Sequence, residues 1–192
     1  LARHLHGDEL KVAFAFILSM PGAPFIYYGD EIGMRYVEGL KSVEGGYNRT
    51  GSRSPMQWDD STNAGFSSAP ASDLYIAMDP DKDRPTAKKE MAAPDSLYHE
   101  VKKLIRIRQS HKALQSRGKI TFVYAEKNAY PLAYIREDGD EKILVIINAA
   151  AEAKTFACDA EPKEAIYNFG AAAEAKNGKI TVPAQSAGFY RI

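Results

Sequence analysis

The residues point to an α/β unit followed by an all-β domain of antiparallel strands, on three grounds. The stretch "MPGAPFIYYGDEIGM", residues 20–34, sets an almost unbroken apolar run directly after a helical pattern and ends it in Gly29, Asp30 and Glu31. A second helical pattern, 95–111, has one apolar face and one basic face. After Gly118 the chain changes to short runs of β-branched and aromatic residues punctuated by Asp138-Gly139 and Asn177-Gly178, dipeptides that tolerate the positive φ of hairpin turns.

Each element has a local reason. In "DELKVAFAFILSM", Leu10, Phe14, Ile17 and Leu18 recur at helical spacing, and Asp8 is placed to cap the free amides of the first turn, which predicts a buried helix over about residues 8–20. Pro21-Gly22 stops it. "APFIYYG" is apolar at successive positions, the mark of a strand covered on both faces in a parallel sheet. Residues 33–94 follow as a long loop rich in Gly, Pro, Ser, Asp and Asn; irregular segments of that length in compact domains are generally functional. Asp95 or Ser96 then caps "LYHEVKKLIRIRQSHKAL", with Leu97, Val101, Leu104 and Ile105 on one face. The β-rich runs are "KITFVYA", "AYPLAYIRE", "EKILVIINA", "KTFAC", "EAIYNF", "KITV" and "GFYRI". Pro131 suits an edge or a bulge. A domain boundary is placed near residue 116, giving 1–115 and an antiparallel β-sandwich over 116–192.

Composition narrows the partners. Lys+Arg and Asp+Glu are both 25, so no net field attracts nucleic acid or an anionic membrane, and a neutral partner is expected. No apolar stretch approaches the roughly 20 residues that span a bilayer. Cys158 is the only cysteine. It excludes an intrachain disulfide framework and favours a cytoplasmic over a secreted setting, with localisation left open. His99 and His111 lie twelve residues apart, which is not metal-ligand spacing. "DDSTNAG" and "DPDKDRP" lack the calcium-loop pattern and are read as Asx turns. No Gly-rich phosphate loop is present, so neither metal nor cofactor is expected.

"GAPFIYYGDEIGM" followed by "NRTGSRSPMQWDDSTNAGF" resembles the alpha-amylase family of glycoside hydrolases, in particular its oligo-1,6-glucosidase and alpha-glucosidase branch. The second stretch carries the family's Arg-x-Pro-Met-Gln-Trp-Asp element as Arg53, Pro55, Met56, Gln57, Trp58 and Asp59. The resemblance implies that residues 1–115 are the C-terminal segment of a (β/α)8 TIM barrel: seventh helix, eighth strand, long loop and eighth helix. The tail then corresponds to the family's C-terminal β-domain. It also implies that the nucleophilic Asp, the acid/base Glu and a stabilising Asp leave earlier strands, upstream of Leu1. No catalytic residue is therefore expected in this chain, and the chain alone is expected to be inactive, with the longer enzyme hydrolysing α-glucosidic bonds of short oligosaccharides with retention.

Two carboxyl groups serving retaining hydrolysis stand about 5 to 5.5 Å apart across the scissile bond, whereas sequence neighbours such as Asp30 and Glu31 point apart. In a barrel the active site lies at the carboxyl ends of the strands, so a buried strand must break into polar residues there; this accounts for the abrupt Gly-Asp-Glu. Glu31 is read as bracing the loop by accepting hydrogen bonds. Glu31, Tyr28 and Asp59 are assigned structural places at the site floor. Arg53 is the leading substrate-binding residue, because its planar fork can hold a carboxylate and donate to sugar hydroxyls. Trp58 has two readings, a platform stacked on a sugar face and, more strongly, the loop's own core anchor. Two rival functions are a trehalose synthase-type isomerase or transglucosidase and a non-catalytic carbohydrate-binding or scaffold module. A barrel strand without neighbours exposes its edges, so self-association of the chain is a further expectation.

Overall fold

The structure, a computed structural model, describes residues 1–41, 45 and 49–192. Residues 42–44 and 46–48 of the expected long loop, Asn48 of the motif among them, lie outside the described residues. Two compact units form, one of residues 1–6 and 26–101, the other of 7–25 and 102–192. This is a division by contacts, distinct from the sequence division near residue 116.

The larger unit begins with helix α1, Asp8–Ser19. Gly7 at φ 54° is its N-cap and no side chain caps it. The expected Asp8 cap is thus corrected: Asp8 is the first helical residue, and its carboxylate meets Lys11 at 3.3 Å. Asp8 and Glu9 still complement the positive end of the helix dipole. Leu10, Val12, Phe14, Ala15 and Leu18 are buried, and α1 packs on two central strands described next.

Eight strands follow among the described residues: β1 (Lys119–Tyr124), β2 (Leu132–Asp138), β3 (Glu141–Asn148), β4 (Lys154–Ala157), β5 (Ala165–Phe169), β6 (Glu174–Lys176), β7 (Lys179–Val182) and β8 (Ser186–Arg191). They make a five-stranded sheet in the order β1-β2-β3-β8-β5 and a three-stranded sheet β4-β7-β6, with every pair antiparallel. Leu144 and Ile146 of β3 share a core with Phe156 of β4 and Ile180 and Val182 of β7, so the two sheets pack face to face. Ile143, Val145 and Ile147 point to the opposite face by the alternation of a strand, the side on which α1 packs. That double coverage is why β3 is buried almost throughout, with apolar residues at consecutive positions. The Asp138-Gly139 and Asn177-Gly178 dipeptides stand at the β2–β3 and β6–β7 hairpins, with positive φ at Gly139, Asn177 and Gly178. Pro131 immediately precedes β2 after a cis peptide bond.

Two arginines finish the C-terminal end of α1, where the last carbonyls have no intrahelical partner. Arg108 donates to the carbonyls of Leu18 (2.8 Å), Met20 (2.7 Å) and Gly22 (2.7 Å). Arg136, fully buried on β2, donates to Ser19 O, Gln115 O (2.7 Å) and Gly118 O (3.1 Å). Burial, and then the neighbouring charge of Arg108, push the Arg136 guanidinium down to about 10. Ser19 Oγ also meets the buried Tyr134 hydroxyl at 2.6 Å, and burial raises that phenol to about 12.

The smaller unit carries 3-10 turns at Asp30–Ile32, Thr50–Ser52, Thr62–Gly65 and Ala71–Asp73, helix α2 at Ala87–Ala92, and the first residues of helix α3, Leu97–Ser110, which continues into the larger unit. Ser96, not Asp95, caps α3: its Oγ accepts from the His99 N–H at 3.4 Å. Residues 23–28 do not form the expected buried strand. Phe25 is 93% exposed, and Tyr27 and Tyr28 are half-exposed. A parallel strand takes its hydrogen bonds from neighbours on both sides, and no strand among the described residues pairs with this segment.

Candidate functional site

Gly29 sets the first wall of the site. Its φ is 85°, and a Cβ there would meet Met34 Sδ at 2.3 Å, so only glycine lets the chain turn into Asp30–Ile32. Its carbonyl accepts from the amides of Ile32 (3.3 Å) and Met34 (2.8 Å). Just before this turn, the Tyr27 and Tyr28 rings lie 4.6 Å apart. The Tyr28 hydroxyl donates to the carbonyl of Ser54 at 3.1 Å, which joins the "IYYGDE" segment to the "RSPMQWD" segment. Burial and the adjacent Tyr27 push the Tyr28 phenol up to about 12, with the Arg53 charge pulling against them.

Arg53 closes the Thr50–Ser52 turn, its N–H donating to Thr50 O at 3.0 Å. It lines a cavity of about 310 Å³ with Tyr28, Met56, Phe66, Tyr75 and Ile76. Tyr28 is also a wall of a second cavity, about 410 Å³, lined by Tyr27, Tyr36, Arg35, Arg49 and Ser54. One tyrosine is therefore a wall of both, the second also carrying Arg35, Arg49 and Asp30 among apolar residues. Arg35 is fixed by carboxylates of Asp79 (3.4 Å) and Asp81 (2.8 Å). Within "DPDKDRP", Asp79 accepts from the Asp81 amide and Asp81 from the Asp83 amide, both at 2.9 Å, the geometry of successive Asx turns.

Several residues take places other than those expected from sequence. Trp58 is 52% exposed and so is not a core anchor. The loop is held instead by backbone: Trp58 N donates to Ala64 O (2.8 Å), and the carbonyls of Gln57 and Trp58 accept from Ala87 N (2.8 Å) and Lys88 N (2.9 Å). Within the motif Pro55 and Gln57 are buried, Gln57 at 0% exposure. Asp59 caps its own turn, accepting from Ser61 N (2.8 Å) and Ser61 Oγ (2.5 Å). Those two bonds hold its carboxyl below the usual range. Glu31 Oε2 is buried and has no hydrogen-bond partner among the described residues, so that oxygen does not make the expected brace. Asp30 accepts from the Leu1 amino group at 3.3 Å.

The structure thus brings Tyr28 and Arg53 together and sets Trp58 and Asp59 on the adjoining turn. Sequence reasoning missed Arg35, Arg49, Ser54, Phe66 and Tyr75. Arg49 stood four residues before Arg53, and Phe66 and Tyr75 were aromatics in an otherwise polar loop, which is a binding signal once exposure is known.

A family model described as "Alpha amylase, catalytic domain" matches residues 3–117. The chain is 30% identical to a glucan 1,6-alpha-glucosidase of Streptococcus pneumoniae over 92% of its own length and 37% of that protein. It is 30% identical to an oligo-1,6-glucosidase of Parageobacillus thermoglucosidasius over 78% of its length and 31% of that protein. To a trehalose synthase of Thermus thermophilus it is 32% identical over 79% of its length and 16% of that protein. Among solved structures, the trehalulose synthase of Pseudomonas mesoacidophila MX-45 matches at TM-score 0.78 and 27% identity, over 96% of this chain and 38% of that one. The chain spans a little over a third of the length of the first of these relatives. With the family model covering more than half of its residues, the chain belongs to the alpha-amylase family.

Proposed function

We propose that this chain is the C-terminal portion of a retaining glycoside hydrolase acting on α-glucosidic bonds of short oligosaccharides, with Arg53 as a substrate-binding residue. In this reading residues 1–115 complete a (β/α)8 barrel, and residues 116–192 form the β-domain that follows it. The observation that carries it is the Tyr28 hydroxyl bound to the Ser54 carbonyl. It fixes the backbone beside Arg53 against the segment that a barrel would present at its catalytic end, where active sites of such barrels gather.

The chemistry divides accordingly. Arg53 supplies a permanent positive charge and a planar set of donors, suited to orienting a carboxylate or sugar hydroxyls. The reactive carboxylates lie outside this chain, so the chain alone performs no covalent step, which requires a nucleophile. The partner is a neutral α-linked oligosaccharide. Similarity to a trehalose synthase and to trehalulose synthase structures supports a second reading, transfer or isomerisation in place of hydrolysis.

Maltose and its α-1,6-linked isomer isomaltose, supplied separately, test these readings. A protein that includes the upstream barrel is expected to release glucose, whereas trehalose as the main product favours isomerisation. Absence of both products overturns the proposal.

A further inference from the structure

We propose that Asn177, in the hairpin between β6 and β7, is a site of self-modification, where the chain converts an asparagine to aspartyl and isoaspartyl once the short strand β6 opens. The inference is independent of which bond the longer protein cleaves.

Of the six asparagines in the sequence, only Asn177 is followed by glycine. The reaction is intramolecular. The Gly178 nitrogen gives up its proton to solvent and bonds to Cγ of Asn177, the Cγ–Nδ2 bond breaks, and Nδ2 leaves as ammonia with a proton taken from water. Water then opens the cyclic imide. Addition at Cγ gives aspartyl, and addition at the main-chain carbonyl gives isoaspartyl, whose backbone is one methylene longer. A side chain on the attacking residue crowds this ring closure, and Gly178 has none; nothing stands within 4 Å of where its Cβ would be.

The other asparagines that the structure describes are held. Asn63 donates to the carbonyls of Ser67 (3.0 Å) and Ala69 (2.8 Å). Asn148, fully buried, donates to those of Glu152 (2.9 Å), Val182 (3.3 Å) and Pro183 (2.8 Å), and Asn168 Oδ1 accepts from the Tyr190 hydroxyl at 2.7 Å. Asn128 is exposed, but the amide that would attack it, Ala129 N, donates to Glu126 O at 3.3 Å and belongs to a residue with a Cβ. The Asn177 side chain is exposed and takes no hydrogen bond among the described residues.

The hairpin gates the reaction. Asn177 and Gly178 stand at φ 51° and 69°, the left-handed pair of a two-residue hairpin turn, and ring closure needs a different backbone angle at Asn177, so the turn must first open. Opening is easy here. β6 is three residues long, exposed at each, and lies at the edge of its sheet, paired with β7 alone, which puts it at the low end of local stability. Lys176 and Lys179 stand directly opposite each other across the turn, and like charges so placed weaken a strand pair. The same two ammonium groups favour the anionic nitrogen that attacks, since an opposite charge nearby favours the charged form.

Conversion reaches into the sheet. Gly178 O accepts from Cys158 N at 3.0 Å, and the register sets Ala175 opposite Ile180, a residue of the core between the two sheets. An extra methylene between Lys176 and Gly178 shifts β6 against β7 and loosens the hold on Cys158.

The test is peptide mapping by mass spectrometry of the 192-residue chain held at mildly alkaline pH. Asn177 is expected to convert about tenfold faster than Asn128, the freedom of glycine lowering the barrier. Ala175→Gly, which weakens β6, is expected to quicken conversion about two- to fivefold, and Lys179→Glu, which sets an opposite charge across from Lys176, to slow it by a similar factor. Both positions are exposed, so neither variant opens the core. Amide exchange at Cys158 is expected to quicken about two- to tenfold in the converted chain. Conversion at Asn177 no faster than at Asn128, or a rate that neither variant moves, overturns the inference, and unchanged exchange at Cys158 overturns its reach into the sheet.

Discussion

The hydroxyl of Tyr28 donates to the carbonyl of Ser54 at 3.1 Å, the residue next to Arg53. Removing that hydroxyl alone tests how much the bond positions the arginine. Tyr28→Phe keeps the ring and the stack on Tyr27, and leaves one carbonyl short of a partner at a net loss of about 0.5–1.5 kcal/mol. Amide exchange at Arg53, Ser54 and Met56 is expected to quicken by roughly two- to tenfold. In the longer protein kcat/KM is expected to fall by a similar factor. Unchanged exchange would show that the bond positions nothing.

Arg53 is the residue with the largest predicted effect on turnover. Arg53→Lys keeps the charge but loses the planar fork, and loss of a charged hydrogen bond amounts to about 1.5–3 kcal/mol, roughly 10- to 150-fold in rate. The expected result is a fall in kcat/KM of the longer protein on maltose within that range, with the fold intact by circular dichroism. A lysine variant of normal kinetics removes Arg53 from the site.

Arg136 carries a stability prediction. Arg136→Met takes its donor from the carbonyls of Ser19 and Gly118 in a buried setting, while Gln115 O keeps the Gly118 N–H at 3.2 Å. At about 1–3 kcal/mol for each unpaired group, urea unfolding should show a loss of at least about 2 kcal/mol. A loss below about 1 kcal/mol would mean that water replaces the guanidinium freely.

The Glu141–His111 contact predicts a pH dependence. Glu141 accepts from His111 Nδ1 at 2.6 Å and from the Ala113 N–H at 2.9 Å. Burial raises its carboxyl, but the Ala113 amide and His111 outweigh burial and hold it below the usual range. A carboxyl depressed in the folded state stabilises above its unfolded pKa, and that stability drains as pH falls through the folded value. Stability of the larger unit is therefore expected to drop below about pH 4.3, the ordinary glutamate value. Glu141→Gln should flatten the drop, and an identical pH profile in that variant would exclude the contact as its source.

Phe25, 93% exposed in a segment that pairs with no strand among the described residues and that also exposes Tyr27 and Tyr28, predicts self-association of the chain. Sedimentation at tens of micromolar is expected to show dimers or larger species, reduced by Phe25→Ser. A strictly monomeric chain would contradict this.

The β-domain was legible because its information is local: alternating runs and positive-φ dipeptides specify strands and hairpins without reference to the rest of the chain. Only β6 escaped, since Glu174–Lys176 is too short and polar to show a pattern. Residues 23–28 failed for the opposite reason. Their apolar run specifies a strand only when neighbours supply hydrogen bonds, and that is a property of the sheet rather than of the segment. Around the cavity, Tyr28 and Arg53 fall one in each of the two stretches that carry the resemblance. Trp58 was misplaced because rarity suggested burial, while the backbone bonds of Gln57, Trp58 and Ala64 hold the loop. Phe66 and Tyr75 went unseen because their exposure, 49% and 63%, is not written in the residue types.

Release of p-nitrophenol from p-nitrophenyl α-glucoside tests the division of labour most directly. The 192-residue chain is expected to release none, and a protein that also contains the upstream barrel is expected to release it steadily. Turnover by the isolated chain, abolished by substituting Asp30 or Glu31, would place the reactive acids here and contradict the account.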